Sequence, residues 1–329
     1  MWAKFKSNKR GYYSLIIFLA LFLTSMSANF IANDKPLLVK YQDSYYFPIF
    51  KKYPETTFGG QFKSEADYKD PYVTNLIKSN GFIIFPPIKF SYDTINLDIS
   101  SSAPTAPDSQ NILGTDDQGR DLLARLLYGV RISLIFGIIL SALSLVIGVS
   151  FGAVQGYFGG KIDLFFQRFI EIWSTMPILF LLIIISSIIE PSFMILLSIM
   201  LLFSWLGLVG FVRAEFLRLR NFDFVKASAV SGSSDLRIIF RHILPNASPI
   251  IIANLPFLIA GSITTLTSLD FLGFGLSFGY PSLGEVLNQG KNNINAYWIG
   301  ISGFLTITIL LTLLVFIGEA LRNAFDSRS

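Results

Sequence analysis

The sequence predicts an all-α membrane protein with six transmembrane helices and one large extracytoplasmic insertion between the first and the second. Three observations predict it. The 329 residues are 52% hydrophobic and only 15% charged, with a mean hydropathy of +0.56, where a soluble domain carries roughly 25% charged residues. The hydrophobicity is gathered into six uncharged runs near the length of about 20 residues that a bilayer demands. The basic residues of the short segments between runs fall almost entirely on one side.

Residues 1–10 carry Lys4, Lys6, Lys9 and Arg10 and are predicted cytoplasmic. The first span is Gly11–Asn33. Its basic start, Leu15–Leu23 and the small residues Ser25, Ser27 and Ala28 also fit a cleaved signal peptide. Cleavage would leave the other spans oriented the same way. Residues 34–131 are the insertion, with eleven basic and twelve acidic residues. Turn signals at Gly59-Gly60, Pro71, Gly81 and Pro86-Pro87 divide it, and Gly81-Phe-Ile-Ile-Phe suggests a short strand. Either a docking surface for an extracytoplasmic partner or a lid packed on its own membrane domain fits this composition.

The stretch "LGTDDQGRDLLARLLYG", 113–129, leads into the second span. Thr115 or Asp116 is the expected helix cap. Leu122, Leu123, Leu126 and Leu127 are its apolar residues, and Asp121 and Arg125 are spaced to pair. The core, 132–329, holds Ile132–Gly160, Ile172–Ile189, Ser192–Val212, Ala247–Leu269 and Asn292–Gly318. Lipid cannot satisfy backbone groups, so these runs must be helical. Gly148, Gly152 and Gly156 share one face of the second span and let another helix approach closely. Pro177, Pro249 and Pro256 are expected to kink or start helices. Asp270, an acid closing the fifth span, is a candidate pathway residue.

Orientation follows from charge. Lys161 and Arg168, the six residues Arg213, Arg218, Arg220, Lys226, Arg237 and Arg241, and Arg322 and Arg328 join the N-terminal four on one side. The opposite short segments carry Lys291. Both termini are therefore expected in the cytoplasm and 34–131 outside. The chain has no cysteine, which excludes a disulfide framework, a thiolate metal site and a cysteine nucleophile. A single histidine, His242, excludes a histidine-cluster metal site.

The basic segment between spans four and five reads as two short helices about Gly232. Phe222, Val225 and Ala229 line the first. Ser233 or Ser234 caps the second, Leu236, Ile239, Phe240 and Ile243 form its apolar face, and Pro245 can stop it. Such helices are unstable alone and need a surface to pack on. Partner docking and contact with anionic lipid both fit, better than nucleic acid.

"FVKASAVSGSSDLRIIFRHILPN", 224–246, is similar to the cytoplasmic loop motif of permease subunits of bacterial ABC importers, approximately E-A-A, three residues, Gly, then a run ending in H-x-L-P-N. Ala227, Gly232, His242, Leu244, Pro245 and Asn246 match it. Lys226 and Ser228 stand where the family often has Glu and Ala. "LGTDDQGRDLLARLLYGVRISL", "SLDFLGFGL" and "PSLGEVLNQGK" resemble further segments of the C-type permease of oligopeptide and dipeptide importers. "ANDKPLLV" and "FGGQFKSEADYKDPYV" resemble the branch with an enlarged outer loop, which includes the microcin C peptide importer.

The resemblance implies the type I importer permease fold in a bacterial inner membrane. It implies that loop 213–246 seats in an ATPase subunit, with Lys226, Ala227, Ser228, Gly232, Asp235, Arg237, His242, Leu244, Pro245 and Asn246 as coupling residues. It further implies a homologous B-type permease, two ATPase subunits or one fused ATPase, a periplasmic substrate-binding protein and a peptide substrate. The chain has no G-x-x-x-x-G-K-[ST] phosphate loop, so no cofactor of its own is expected; ATP would be bound and hydrolysed by the partners. An ion-coupled carrier working alone and a membrane scaffold with 34–110 as its sensor are the alternatives.

Overall fold

A computed structural model describes residues 2–99, 102–277 and 279–325; Arg328, counted above for orientation, lies outside them. Among the described residues four helices are long and apolar enough to cross a membrane: Leu122–Phe158, Phe193–Leu219, Leu255–Leu272 and Tyr297–Phe325. Helices Gly160–Ser174 and Ile178–Ile188, bent by 59° at the intervening break, make a fifth if taken as one broken span. Pro177 causes the break, because it lacks an N–H and clashes with the preceding turn, and it stands at the start of the second piece. Pro249 lies inside helix Leu244–Ala253 and Pro256 opens Leu255–Leu272.

The first run is helical over Lys9–Met26 and Ala28–Ile31. Its Ile16, Ile17, Leu19 and Leu23 are exposed, but it is not among the helices long and apolar enough to cross a membrane, so four or five of the six expected spans are found among the described residues. Two anchors hold it. Phe5 is buried with Ala320 and Ala324, and Ala28 and Ala32 pack with Ala124 and Tyr128.

The chain divides into two compact units. The first comprises Met1–Phe18, Ser133–Ser277 and Thr308–Ser329 and carries most of the apolar helix. Its core is a set of buried Leu, Ile, Val and Phe side chains such as Leu208, Val212, Phe216, Ile239 and Ile243, with a second set about Phe136, Leu140, Leu182 and Met200.

The second unit, Leu19–Ile132 and Phe278–Ile307, contains the insertion. Strands β1 (Leu38–Tyr41), β2 (Ser44–Tyr46) and β3 (Gly81–Ile84) form an antiparallel sheet in the order β2-β1-β3. Val39 stands opposite both Tyr46 and Ile83. Helix Pro71–Asn80 has Pro71 in its first turn and Asp70 as its cap, whose Oδ1 accepts from the Tyr72 N–H at 2.8 Å. Its Val73 and Ile77 are buried with Val39, Phe58 and Tyr68. Phe58 meets Tyr41, Tyr46, Tyr53 and Tyr68 edge-on, a geometry worth about 0.5–1.5 kcal/mol per pair beyond area burial.

The approach to the second span departs from expectation. The helix expected before the second span and the span itself are one, which starts at Leu122 and runs unbroken to Phe158. Neither Thr115 nor Asp116 caps it. Thr115 Oγ1 accepts from the Thr105 N–H at 2.8 Å, and Asp116 binds Arg120. The cap is Asp121, whose Oδ1 accepts from the Ala124 N–H at 2.7 Å. With Asp121 so engaged, and with Asn111 Nδ2 donating to its other oxygen at 2.8 Å, it does not pair with Arg125. Burial pushes the Asp121 carboxyl above its ordinary range, and these two donors pull it back.

Candidate functional site

The segment between helices Leu206–Leu219 and Leu255–Leu272 is built as two helical pieces about a left-handed glycine. Helix Asp223–Val230 ends at Ser231, whose N–H reaches the Ala227 carbonyl. Gly232 follows at φ +80°, with nothing within 4 Å of where a Cβ would sit. The position therefore demands glycine for its backbone and not for space. Helix resumes at Asp235 and continues without a stop to Ala253.

Pro245 does not end this helix. Residues Ile238–Ile243 form a π-turn, and the Leu244 N–H bonds back to the Ile239 carbonyl. A proline inside an α-helix clashes with the carbonyl four residues earlier, here that of Arg241. The widened turn just before Pro245 relieves this. It also rotates the faces. Ile238, Ile239 and Ile243 are buried, while Leu236 and Phe240, expected on the buried face, are 68% and 63% exposed. In the first piece Val225 is buried, but Phe222 and Ala229 are exposed.

The buried side chains pack against Leu208, Val212, Phe216 and Leu219, and against Ala153 of the long helix. Lys226, Ala227, Gly232, Asp235, Arg237, Pro245 and Asn246 are exposed, and Ser228, His242 and Leu244 are half-buried. The His242 carbonyl accepts from Asn246 Nδ2 at 2.6 Å. It is this backbone group, rather than the ring, that is engaged.

Three polar ties that periodicity did not reveal hold the segment in place. Tyr157 Oη donates to Asp235 Oδ1 at 2.6 Å. Arg220 Nη1 donates to the Gly156 and Tyr157 carbonyls at 3.4 and 3.3 Å, closing the C-terminal end of the long helix, where a cation is favoured. Arg213 binds Asp163 through two bonds of 2.6 and 2.7 Å. Tyr157→Phe removes only the first tie. A loss of about 1 kcal/mol should raise amide exchange across residues 235–238 roughly fivefold, read by mass spectrometry; unchanged protection would show that the bond contributes nothing.

The glycine stripe lies along the helix that leads into this segment. A Cβ on Gly148 would come within 2.9 Å of Leu208 Cβ, on Gly152 within 2.7 Å of Val212 Cβ, and on Gly156 within 2.5 Å of Phe216 Cβ. Side-chain-free positions thus let helix Leu206–Leu219 lie directly on the long helix. Asp270 is 9% exposed and its Oδ1 accepts from the Leu276 N–H at 2.7 Å, folding the loop back on the end of helix Leu255–Leu272.

The second unit holds a buried ion cluster. Arg125, 0% exposed, donates to Glu285 at 2.5 Å and to the Tyr92 and Tyr280 carbonyls at 3.1 and 3.3 Å. Asp116 stands 3.3 Å from its Nε. Arg120 binds both Asp116 and Glu285. The only sequence sign was a set of charges beside an apolar run, which does not name the distant acid. Among the described residues no group of acids and histidines is arranged to hold a metal ion.

Comparison with known proteins agrees with this architecture. The family described as the binding-protein-dependent transport system inner membrane component matches residues 144–329. The chain is 56% identical over 325 residues to the inner membrane ABC transporter permease protein YejE of Escherichia coli K12, covering 99% of this chain and 95% of that protein. It is 51% identical over 351 residues to the peptidoglycan transport system permease protein YejE of Agrobacterium fabrum, covering 99% and 92%. It is 38% identical over 223 residues to the oligopeptide transport system permease protein OppC of Lactococcus lactis IL1403, covering 66% and 76%. A solved chain of the MetNI methionine ABC transporter, in an inward-facing conformation, shares the fold with a TM-score of 0.52 at 17% identity, covering 62% of this chain and 98% of that one. The chain therefore belongs to the family of inner membrane components of binding-protein-dependent transport systems, as a permease subunit of an ABC importer and not an enzyme.

Proposed function

We propose that the chain carries peptides inward by alternating access, and that residues 222–246 seat in a separate ATPase subunit. One observation carries the coupling reading. Val230, Leu236 and Phe240 are 90%, 68% and 63% exposed on a short segment whose opposite face is fully packed. Apolar side chains grouped on one amphipathic segment mark a surface for a partner. Lys226, Ala227, Ser228, Gly232, Asp235 and Arg237 belong to that surface, and His242, Leu244, Pro245 and Asn246 to the helix that carries its motion inward.

The partners are a homologous B-type permease, two ATPase subunits or one fused ATPase, and a periplasmic binding protein. ATP acts on this chain only through them, by favouring one conformation over the other. Both termini and the 213–246 loop are cytoplasmic, and the 34–131 lobe is outside. The substrate class rests on the sequence resemblance and on the oligopeptide and peptidoglycan transport named for two relatives; short peptides are common to both. Asp270 is proposed as a loop staple beside the pathway.

Leu236→Asp and Val230→Asp test the reading. Both side chains are exposed, so the fold tolerates the change. A charge buried at the interface should cut recovery of the ATPase subunit with the purified chain at least tenfold and abolish uptake. Full recovery and normal uptake in both variants would overturn it. Peptide flux through the chain reconstituted alone, under an imposed proton gradient, would also overturn it.

A further inference from the structure

The lobe contains a cleft of about 1140 Å³, above the roughly 300–1,000 Å³ of ordinary small-molecule sites. Its wall carries charges of both signs, and several of its lysines have no direct ion-pair partner. Lys69, Lys78 and Lys89 line it, and none has a carboxylate within 4.0 Å among the described residues. Two of the three are held on aromatic faces, Lys69 Nζ 3.9 Å from the Phe90 centroid and Lys89 Nζ 5.7 Å from that of Phe85. Such stacking orders a flexible stem without neutralising the ammonium.

The carboxylates of the same cleft are mostly engaged. Asp67 accepts from the Lys69 N–H, Asp70 from the Tyr72 N–H and Asp34 from Thr94 Oγ1. Glu65 is paired with Lys35 and Lys52, which hold its carboxyl below its ordinary range. Asp98 lines the cleft, and among the described residues its carboxylate takes part in no hydrogen bond or ion pair. The cleft therefore offers lysines and one aspartate that make no direct ion pair, beside apolar ring faces.

We propose that this cleft is a receiving site for short zwitterionic peptides on the lobe itself. The peptide carboxylate meets Lys69 and its neighbours Lys78 and Lys89. Its ammonium meets Asp98, and its apolar side chains lie on Phe85 and Phe90. The proposal rests on the peptide reading of the transporter and adds a second place where peptide is held.

The test is calorimetric titration of the whole chain in lipid nanodiscs with trialanine and with acetyl-trialanine-amide, which lacks both terminal charges. Trialanine should bind saturably, the blocked peptide at least tenfold more weakly, and Lys69→Gln and Asp98→Asn should each weaken trialanine at least fivefold. Absence of saturable binding, equal binding of both peptides, or undiminished binding to both variants overturns the proposal. Leu236→Asp, which breaks the ATPase seat, should bind trialanine as the parent does. Uptake of trialanine by the complete transporter without binding to this cleft would leave the transport reading standing and remove the receiving site alone.

Discussion

Arg125→Met should destabilise the protein by about 3–5 kcal/mol, the cost of removing one member of a buried ion pair. The substitution keeps the volume and deletes the charge. It leaves Glu285 without its 2.5 Å partner and Asp116 with Arg120 alone. It also strips the Tyr92 and Tyr280 carbonyls of their donor. In a chain of this size the thermal midpoint should fall by roughly 6–20 °C, followed by intrinsic tryptophan fluorescence in detergent. Arg125→Lys should fall between, since one ammonium cannot span the contacts that the guanidinium fork makes. Glu285→Gln in the Arg125→Met background should recover part of the loss, because both charges are then gone. A midpoint indifferent to Arg125→Met would mean that the cluster is hydrated and that burial does not govern it.

The second large effect belongs to Gly156. A Cβ there would lie 2.5 Å from Phe216 Cβ and 2.7 Å from the Arg213 carbonyl oxygen. Neither obstacle is the far end of a flexible side chain, so the two helices must separate. Gly156→Leu should cost at least the 1–3 kcal/mol typical of overpacking and abolish uptake, because the displaced helix carries the packing of residues 222–246. The stripe should also be graded. At Gly148 the approach is less close, with Leu208 Cβ at 2.9 Å, Leu208 Cδ2 at 3.0 Å and the Trp205 carbonyl oxygen at 3.1 Å, so a smaller separation of the helices suffices. Alanine should therefore be mildest at position 148 and harshest at 156 in both thermal midpoint and uptake. Equal tolerance at all three would rule out close approach as the reason for glycine.

What could be read in the sequence was whatever a single local force imposes. The bilayer imposes an apolar composition over about 20 residues, so the runs are visible. Glycines at four-residue spacing mark a close approach whatever helix makes it. The Gly232 bend was readable because few other residues adopt that backbone. What could not be read depended on a distant partner or a changed period. Arg125 has a carboxylate four residues away, and helix geometry offered it; the true partner, Glu285, is 160 residues further along. Leu236 and Phe240 were placed on the buried face by a period of 3.6, which the π-turn at Ile238–Ile243 breaks. Pro245, four residues after Arg241, was the available sign that an unbroken helix there must widen. The aromatic lobe, with tyrosines both exposed and buried, gave no alternation strong enough to fix more than β3.

The uninterrupted helix from Asp235 to Ala253 has a mechanical meaning. At 1.5 Å per residue it is a strut of about 28 Å. It is not uniform along that length: the π-turn at Ile238–Ile243, Pro245 and Pro249 are the points where its backbone departs from α geometry, so any bending of the strut is concentrated at these points rather than spread evenly.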